Sequence, residues 1–190
     1  MPSKKKKNFT QCVSAVILGL EGCGKTTLVK QFRKYSLDGS CGEGGSIEIT
    51  PTAGAEMDSW VDKDTCIKIK DVGGVFVPSW PKYLKEFDVL IYVVDMSDST
   101  QLASTCIELY NLLNLPNVNG KSVLLLLSKV DMPSLFTRAT FQQLSQVDSI
   151  LKHNPRLELH ILEVSAFTAQ NVDKCVQWLL DHRRPATAND

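Results

Sequence analysis

Short, almost continuous apolar runs recur along the chain and alternate with segments whose apolar residues repeat every three or four positions. The runs are Val13 to Leu18, Val89 to Asp95, Val123 to Ser128 and Leu159 to Val164. Strands that are apolar on both faces are typical of parallel sheets, because helices cover such sheets above and below. The alternation therefore predicts an α/β domain.

The intervening segments predict helices. The residues that share a helical face are Leu28, Phe32 and Tyr35; Leu102, Cys106, Leu109 and Leu113; Phe141, Leu144, Val147 and Leu151; and Val172, Cys175, Val176 and Leu179. Residues 55–70 differ, because two extended stretches flank Asp62-Lys63-Asp64, a polar tripeptide suited to a hairpin turn. We therefore predict a six-stranded, mostly parallel sheet with one antiparallel edge strand and helices on both faces.

Composition and charge narrow the class of protein. The chain has 190 residues, of which 43% are hydrophobic and 22% charged, and this is typical of one globular domain. The 21 basic and 21 acidic residues balance, which disfavours nucleic-acid binding. No apolar run approaches the roughly 20 residues that span a bilayer, and Met1-Pro2-Ser3 opens no signal peptide. We expect a cytoplasmic protein with a domain over 12–182, a flexible Lys-rich start over 1–11 and a flexible tail over 183–190.

A glycine-rich loop directly follows the first predicted strand. Its residues, Gly19-Leu20-Glu21-Gly22-Cys23-Gly24-Lys25-Thr26, fit the pattern G-x-x-x-x-G-K-[ST]. The glycines let successive backbone N–H groups point inward, and the N-terminus of the following helix adds positive potential. Lys25 reaches the outer phosphates of a nucleotide, and the Thr26 hydroxyl is a magnesium ligand. We assign this loop and the following Thr27 to a nucleotide site, since an incidental glycine turn would not also have the strand and helix around it.

Two later motifs follow buried strands at the edge where open α/β sheets bind ligands. They are Ser128-Lys129-Val130-Asp131 and Ser165-Ala166-Phe167. The Asp131 carboxylate can accept two hydrogen bonds from guanine, a pair that adenine does not offer, while the Lys129 stem can lie along the base. These motifs favour a guanine nucleotide, and the alternative for Lys129 and Asp131 is a merely polar strand terminus.

With these motifs the sequence resembles the small GTPases of the Ras superfamily, and most of all their Arf-like branch, over residues 12–182. Thr50-Pro51-Thr52-Ala53-Gly54 resembles the first switch, and Asp71-Val72-Gly73-Gly74 resembles the opening of the second. The resemblance implies binding of GTP or GDP with Mg²⁺, which Thr26 and Thr52 would ligate directly and Asp71 through water. It also implies that the Gly74 N–H senses the γ-phosphate, with Gly74 and Lys25 as the catalytic groups. The segments 94–102, 74–80 and 188–190 resemble one Arf-like member in particular.

The sequence departs from the Arf pattern at several positions. Val75 stands where most members have the glutamine that orients the attacking water, so we expect slow GTP hydrolysis that needs an activating partner. Ser128 replaces an asparagine, which predicts nucleotide affinity lower by about two- to tenfold. Pro2 excludes N-myristoylation. The run Lys4 to Lys7 can contact anionic lipid weakly, although a charged terminus is usually a solvated tail.

The resulting hypothesis is a monomeric guanine-nucleotide switch in which GTP orders the segments 36–52 and 71–83. Effectors would bind a switch face that consists of Thr52, Ala55, Lys70, Trp80 and Tyr83. Ala55 and Lys70 replace the Phe and Trp of Arf proteins, which disfavours the usual Arf effectors, and Trp80 has core packing as its alternative role. The resemblance implies an exchange factor, an activating protein and a role in membrane or ciliary traffic, at the cilium base or on membranes through partners.

Two other functions are weighed against this switch. A GTP-bound interaction module that never cycles is favoured by Val75, whereas the intact magnesium set and the loose switch loop favour cycling. A P-loop phosphotransferase is disfavoured, because the arginines are scattered or terminal and form no lid.

Overall fold

A mostly parallel β-sheet forms the centre of the computed structural model, which describes residues 9–40, 52 and 54–187. The strands among these residues are β1 (Gln11–Leu18), β2 (Ala55–Asp62), β3 (Thr65–Val72), β4 (Val89–Asp95), β5 (Ser122–Ser128), β6 (Glu158–Val164) and β7 (Arg184–Pro185). Their order is β2-β3-β1-β4-β5-β6, and β7 pairs with the start of β1. β2 and β3 are antiparallel, whereas the pairs from β3 to β6 are parallel. The predicted fold class is confirmed.

Helices cover both faces of this sheet. They are α1 (Lys25–Asp38), α2 (Trp80–Tyr83), α3 (Leu102–Leu113), α4 (Arg138–Ser145), α5 (Val147–His153) and α6 (Val172–Asp181), with 3-10 turns at Gly74–Ser79 and Ser99–Gln101. The side chains of β1 alternate between two apolar clusters: Val13, Ala15 and Ile17 pack with α1 and α6, and Val16 and Leu18 with the helices of the other face. The apolar runs of β1, β4 and β5 are therefore strands buried on both sides. The same prediction is wrong for most of Leu159 to Val164, because β6 is an edge strand in which only Val164 is buried.

One predicted helix is two helices in the structure. α4 ends at Ser145, Gln146 has a left-handed conformation with φ 53°, and α5 begins at Val147. The break changes the helical phase, so Val147 is buried although the preceding Leu144 is exposed. The prediction of helix is therefore confirmed on either side of residue 146, and the prediction of a single continuous helix is wrong.

Part of the segment that we expected to be a flexible tail is paired with the sheet. Arg184–Pro185 forms β7, antiparallel to the first two residues of β1, and adds a seventh strand to the six that the sequence predicts. The Arg184 Nε lies 3.0 Å from both carboxylate oxygens of Asp88, which also accepts a hydrogen bond from the Ser14 N–H. The tail expectation is wrong for these residues, since an ion pair and strand pairing hold them.

Several sequence expectations fall outside the described residues. These are the Lys4 to Lys7 run, most of the first switch loop (41–51) and the 188–190 end. Within the described residues, the helices are all too short or too polar to cross a membrane. Four of their cysteine side chains are buried, those of Cys12, Cys23, Cys66 and Cys175.

Candidate nucleotide-binding site

The glycine-rich loop connects β1 to α1 and curls around the ammonium group of Lys25. Gly19 and Gly24 have φ angles of 149° and 95°, which residues with a side chain rarely adopt. A Cβ on Gly19 would also collide with the Val93 carbonyl. The Lys25 Nζ is buried and donates to the Gly19 carbonyl at 3.0 Å and the Leu20 carbonyl at 2.9 Å. The loop therefore has a cationic centre, with Thr26 and the half-buried Thr27 in the first turn of α1 beside it.

Three oxygen-bearing side chains converge next to this loop. The Thr26 hydroxyl donates to Asp71 Oδ2 and lies 2.8 Å from the Thr52 hydroxyl, which is itself 3.4 Å from the same carboxylate oxygen. Asp71 is buried at the end of β3, and its Oδ1 has no hydrogen-bond partner among the described residues. Carboxylate and hydroxyl oxygens are the ligands that Mg²⁺ prefers, and a buried orphan oxygen fits a cation. The three residues that the sequence analysis predicts at a magnesium site, Thr26, Thr52 and Asp71, therefore lie together.

The start of the second switch packs directly on the glycine-rich loop. The Gly73 N–H donates to the Gly54 carbonyl at 2.8 Å, and a Cβ on Gly74 would collide with the backbone nitrogen of Glu21. Only glycine permits this approach. Val75 follows with 60% of its surface exposed, so the side chain at the position of the usual glutamine is apolar and faces solvent.

Ser128 joins the glycine-rich loop to the end of the sheet. Its hydroxyl is buried and lies 2.7 Å from the Cys23 carbonyl and 2.9 Å from the Val94 carbonyl. A hydroxyl has one proton, so it donates to one of these carbonyls at a time. Burial next to this contact raises the pKa of the Cys23 thiol. The serine at the position of the family's asparagine therefore keeps the connection between the two loops with fewer donors.

The two motifs assigned to the base leave the sheet side by side, because Ser128 on β5 is in register with Val164 on β6. Lys129 has a left-handed conformation (φ 59°), and its Nζ lies 2.6 Å from Asp95 Oδ2. Asp131 is exposed at the loop edge. The structure thus brings the motifs together at the carboxyl edge of the sheet, as predicted from their positions after the strands.

A buried hydroxyl shapes the second of these loops. Ser165 is fully buried, and its Oγ accepts hydrogen bonds from the N–H groups of Phe167 at 3.2 Å and Thr168 at 3.0 Å. The side chain of Phe167 is exposed. Ser165 therefore fixes the loop backbone and lies beneath it.

Sequence reasoning missed two glutamines that contact these loops. The Gln31 Nε2 on α1 donates to the Ala166 carbonyl at 2.7 Å, and the Gln101 Nε2 lies 3.4 Å from the Glu21 carbonyl. No motif marks either residue, since each contact joins parts of the chain that are distant in sequence.

The expected effector face is only partly at the surface. Trp80 is 2% exposed and packs edge-on against Tyr92, with ring centroids 6.0 Å apart, so its assignment to an interface is wrong. The ammonium groups of Lys70 and Lys82 lie 5.3 Å and 5.0 Å from the centroid of the Tyr83 ring. The face formed by β3 and α2 is therefore cationic and aromatic.

A parallel α/β sheet with a G-x-x-x-x-G-K-T loop after its first strand, and further loops at its carboxyl edge, defines a small G domain. The model of the ADP-ribosylation factor family matches residues 3–183, and the chain belongs to this family of small GTPases. The family binds GTP and GDP.

Individual relatives support this assignment. The chain is 31% identical over 176 residues to human ADP-ribosylation factor-like protein 16, covering 92% of this chain and 87% of that one. It is 28% identical to ADP-ribosylation factor-like protein 8c of Arabidopsis thaliana, over 94% and 92% of the two chains. The sequence resemblance to one Arf-like member, protein 16, is thus confirmed. The fold matches that of the Arl6 BBS3 small GTPase from Trypanosoma brucei with a TM-score of 0.73 and 21% identity, covering 90% of this chain and 96% of that one.

Proposed function

We propose that this protein is a guanine-nucleotide switch that binds effectors in its GTP form and hydrolyses GTP slowly. The convergence of Thr26, Thr52 and Asp71 carries the proposal. One of these residues belongs to the phosphate loop, one to the first switch and one to the start of the second. An ion held by all three would make the position of both switches depend on the nucleotide.

Magnesium would be held by the Thr26 and Thr52 hydroxyls, with the Asp71 carboxylate behind them. When bound, it would neutralise charge on the β- and γ-phosphates. The protein's own groups have separate tasks: Lys25 places a cation at the outer phosphates, and the Gly74 N–H donates to the γ-phosphate. Asp131 accepts from guanine, and Lys129 flanks the base together with the 165–167 loop.

Slow hydrolysis follows from Val75. Its isopropyl group neither donates nor accepts a hydrogen bond, so it leaves the attacking water without the partner that a glutamine supplies. A partner that contributes an arginine can raise such a rate by about 10³ to 10⁵. We therefore include an activating protein, as well as an exchange factor, in the proposal.

The effector surface follows from the residues that remain exposed. Val75 and Phe76 are exposed apolar side chains, and the half-buried Lys70 and Tyr83 contact each other. Thr52 and Ala55, at the first switch, are also half-buried. This surface lacks the aromatic side chains that Arf proteins present at positions 55 and 70, so we propose effectors other than the usual ones. On family membership alone, we further propose that the protein is cytoplasmic and acts in membrane or ciliary protein traffic.

The test is to strip the purified protein of nucleotide, and to measure the affinities for GTP and GDP with Mg²⁺ and the single-turnover rate of phosphate release. The Val75→Gln variant restores the missing amide and should raise that rate by at least about tenfold, a conservative threshold beside the roughly 10²- to 10⁴-fold that a positioned general base contributes. Ile107→Gln is the matched control, because Ile107 is also exposed and lies on α3. It should leave the rate unchanged.

The outcomes separate the two functions. Tight binding of both nucleotides with a rate that Val75→Gln increases supports a switch that awaits a partner. Tight GTP binding with no rate in either protein supports the non-cycling module, in which GTP is structural. Absence of guanine-nucleotide binding would contradict both.

A further inference from the structure

We infer that Gln31 is a positioning residue that ties the base-recognition loop to the helix that holds the phosphates, and that this tie slows nucleotide release. The inference rests on the proposed nucleotide site and deepens it. It starts from a hydrogen bond between residues 135 positions apart, from the Gln31 Nε2 to the Ala166 carbonyl at 2.7 Å.

The environment of Gln31 shows that this bond is specific. The residue is 3% exposed, in the middle of α1 and among apolar side chains such as Leu28 and Phe32. Its Oε1 has no hydrogen-bond partner among the described residues, so the Nε2 contact alone fixes the orientation of the amide. A buried amide oxygen without a partner costs desolvation free energy, so the presence of a glutamine here is explained by the hydrogen bond that its Nε2 donates.

The bond fixes one peptide unit of the loop completely. The carbonyl of the Ala166–Phe167 peptide accepts from Gln31, and its N–H donates to Ser165 Oγ at 3.2 Å. A peptide unit is planar, so holding both of its polar groups sets its orientation. The local contact from Ser165 shapes the turn, whereas the contact from Gln31 places that turn relative to α1.

Helix α1 thereby connects the two ends of the nucleotide site. Its first two residues are Lys25 and Thr26, and Gln31 lies about 9 Å beyond Lys25 along the axis at 1.5 Å per residue. The helix is rigid at this length. Loss of the Gln31 contact should therefore free the base end of the site while the phosphate end stays in place.

The experiment measures dissociation of a fluorescent GDP and of a non-hydrolysable fluorescent GTP analogue from the full-length protein. Gln31→Met keeps the length of the side chain and removes the donor, so the half-buried Ala166 carbonyl loses this hydrogen bond. We expect both nucleotides to dissociate about two- to tenfold faster. Gln143→Met, on the exposed side of α4, is the matched control and should dissociate at the wild-type rate. Unchanged dissociation from Gln31→Met would overturn the inference and leave the proposed function intact.

Two further measurements separate positioning from general damage. Chelation of Mg²⁺ by EDTA acts at the phosphate end, so it should accelerate release by the same factor in Gln31→Met as in wild type. A much smaller factor would mean that α1 itself is distorted, and would overturn the inference. In the wild-type protein, the side-chain amide protons of Gln31 should exchange with D₂O at least about tenfold slower than those of Gln143. Equal exchange would overturn it without any variant, even if no nucleotide bound.

Discussion

Removal of the Ser128 hydroxyl tests how the phosphate loop is attached to the sheet. The side chain is 2% exposed, and its one proton is shared between the Cys23 carbonyl at 2.7 Å and the Val94 carbonyl at 2.9 Å. Ser128→Ala changes little volume, so the loss is one hydrogen bond of about 0.5 to 1.5 kcal/mol. If the hydroxyl donates mainly to the closer Cys23 carbonyl, Ser128→Ala removes the brace of the phosphate loop and GDP dissociates about two- to tenfold faster.

Two assays locate the loss. Stopped-flow release of fluorescent GDP reports the Cys23 contact, because this carbonyl belongs to the loop, whereas urea unfolding of the GDP-bound protein reports both contacts. Ser104→Ala, on the exposed face of α3, is the control. A lower urea midpoint with unchanged GDP release would show that the Ser128 hydroxyl donates mainly to the Val94 carbonyl. Unchanged midpoint and unchanged release would refute the argument that this hydroxyl connects the loop to the sheet.

Three other outcomes follow from the same structure. Asp71→Asn removes the charge beside the two threonine hydroxyls, so GDP release in Mg²⁺ should come within about twofold of release in EDTA, as measured by fluorescence; a retained magnesium effect would exclude Asp71 from the site. Gln101→Ala should accelerate GDP release by less than about twofold in the same assay, because its 3.4 Å contact with the Glu21 carbonyl is long and exposed; a larger effect would make Gln101 a principal support of the loop. Burial raises the pKa of the Cys175 thiol to about 12 from 9.0, so this thiol ionises in the unfolded chain first. The contribution of the neutral Cys175 thiol to the free energy of unfolding is therefore complete below about pH 9 and is lost as the pH rises towards 12. Urea midpoints should then fall more steeply above pH 9 in wild type than in Cys175→Ala.

The strands and the phosphate loop could be predicted because their signals are local. The residues Val123 to Leu127 are apolar at consecutive positions, which is typical of a strand buried on both faces. The Gly19 to Thr26 loop has its glycines and lysine at fixed spacing, and the spacing is itself the requirement of the phosphate cradle. In both cases neighbouring residues determine the structure.

The errors occur where tertiary contacts decide. The apolar periodicity of this segment predicts one helix, but the left-handed Gln146 interrupts it. The break could not be predicted, because glutamine is not a residue type that marks a left-handed conformation. β7 has two residues, too few for any pattern, and is held by pairing with β1 and by the Arg184 contact with Asp88. Trp80 belongs to a segment that the sequence analysis assigns to the effector face, yet its ring packs on Tyr92.

The contacts that distant residues make with the nucleotide loops also explain how the sequence tolerates its departure from the family motif. The Cys23 carbonyl accepts from Ser128, and the Ala166 carbonyl accepts from Gln31; in each case a side chain from another element donates to a loop carbonyl. What the loop requires at such a place is one donor at the correct distance, and a hydroxyl or an amide can supply it. A serine can therefore occupy the asparagine position, since it keeps a donor at 2.7 Å. No such substitution is available at Val75, because an isopropyl group has no donor or acceptor, and this is why the proposed switch is expected to hydrolyse GTP slowly.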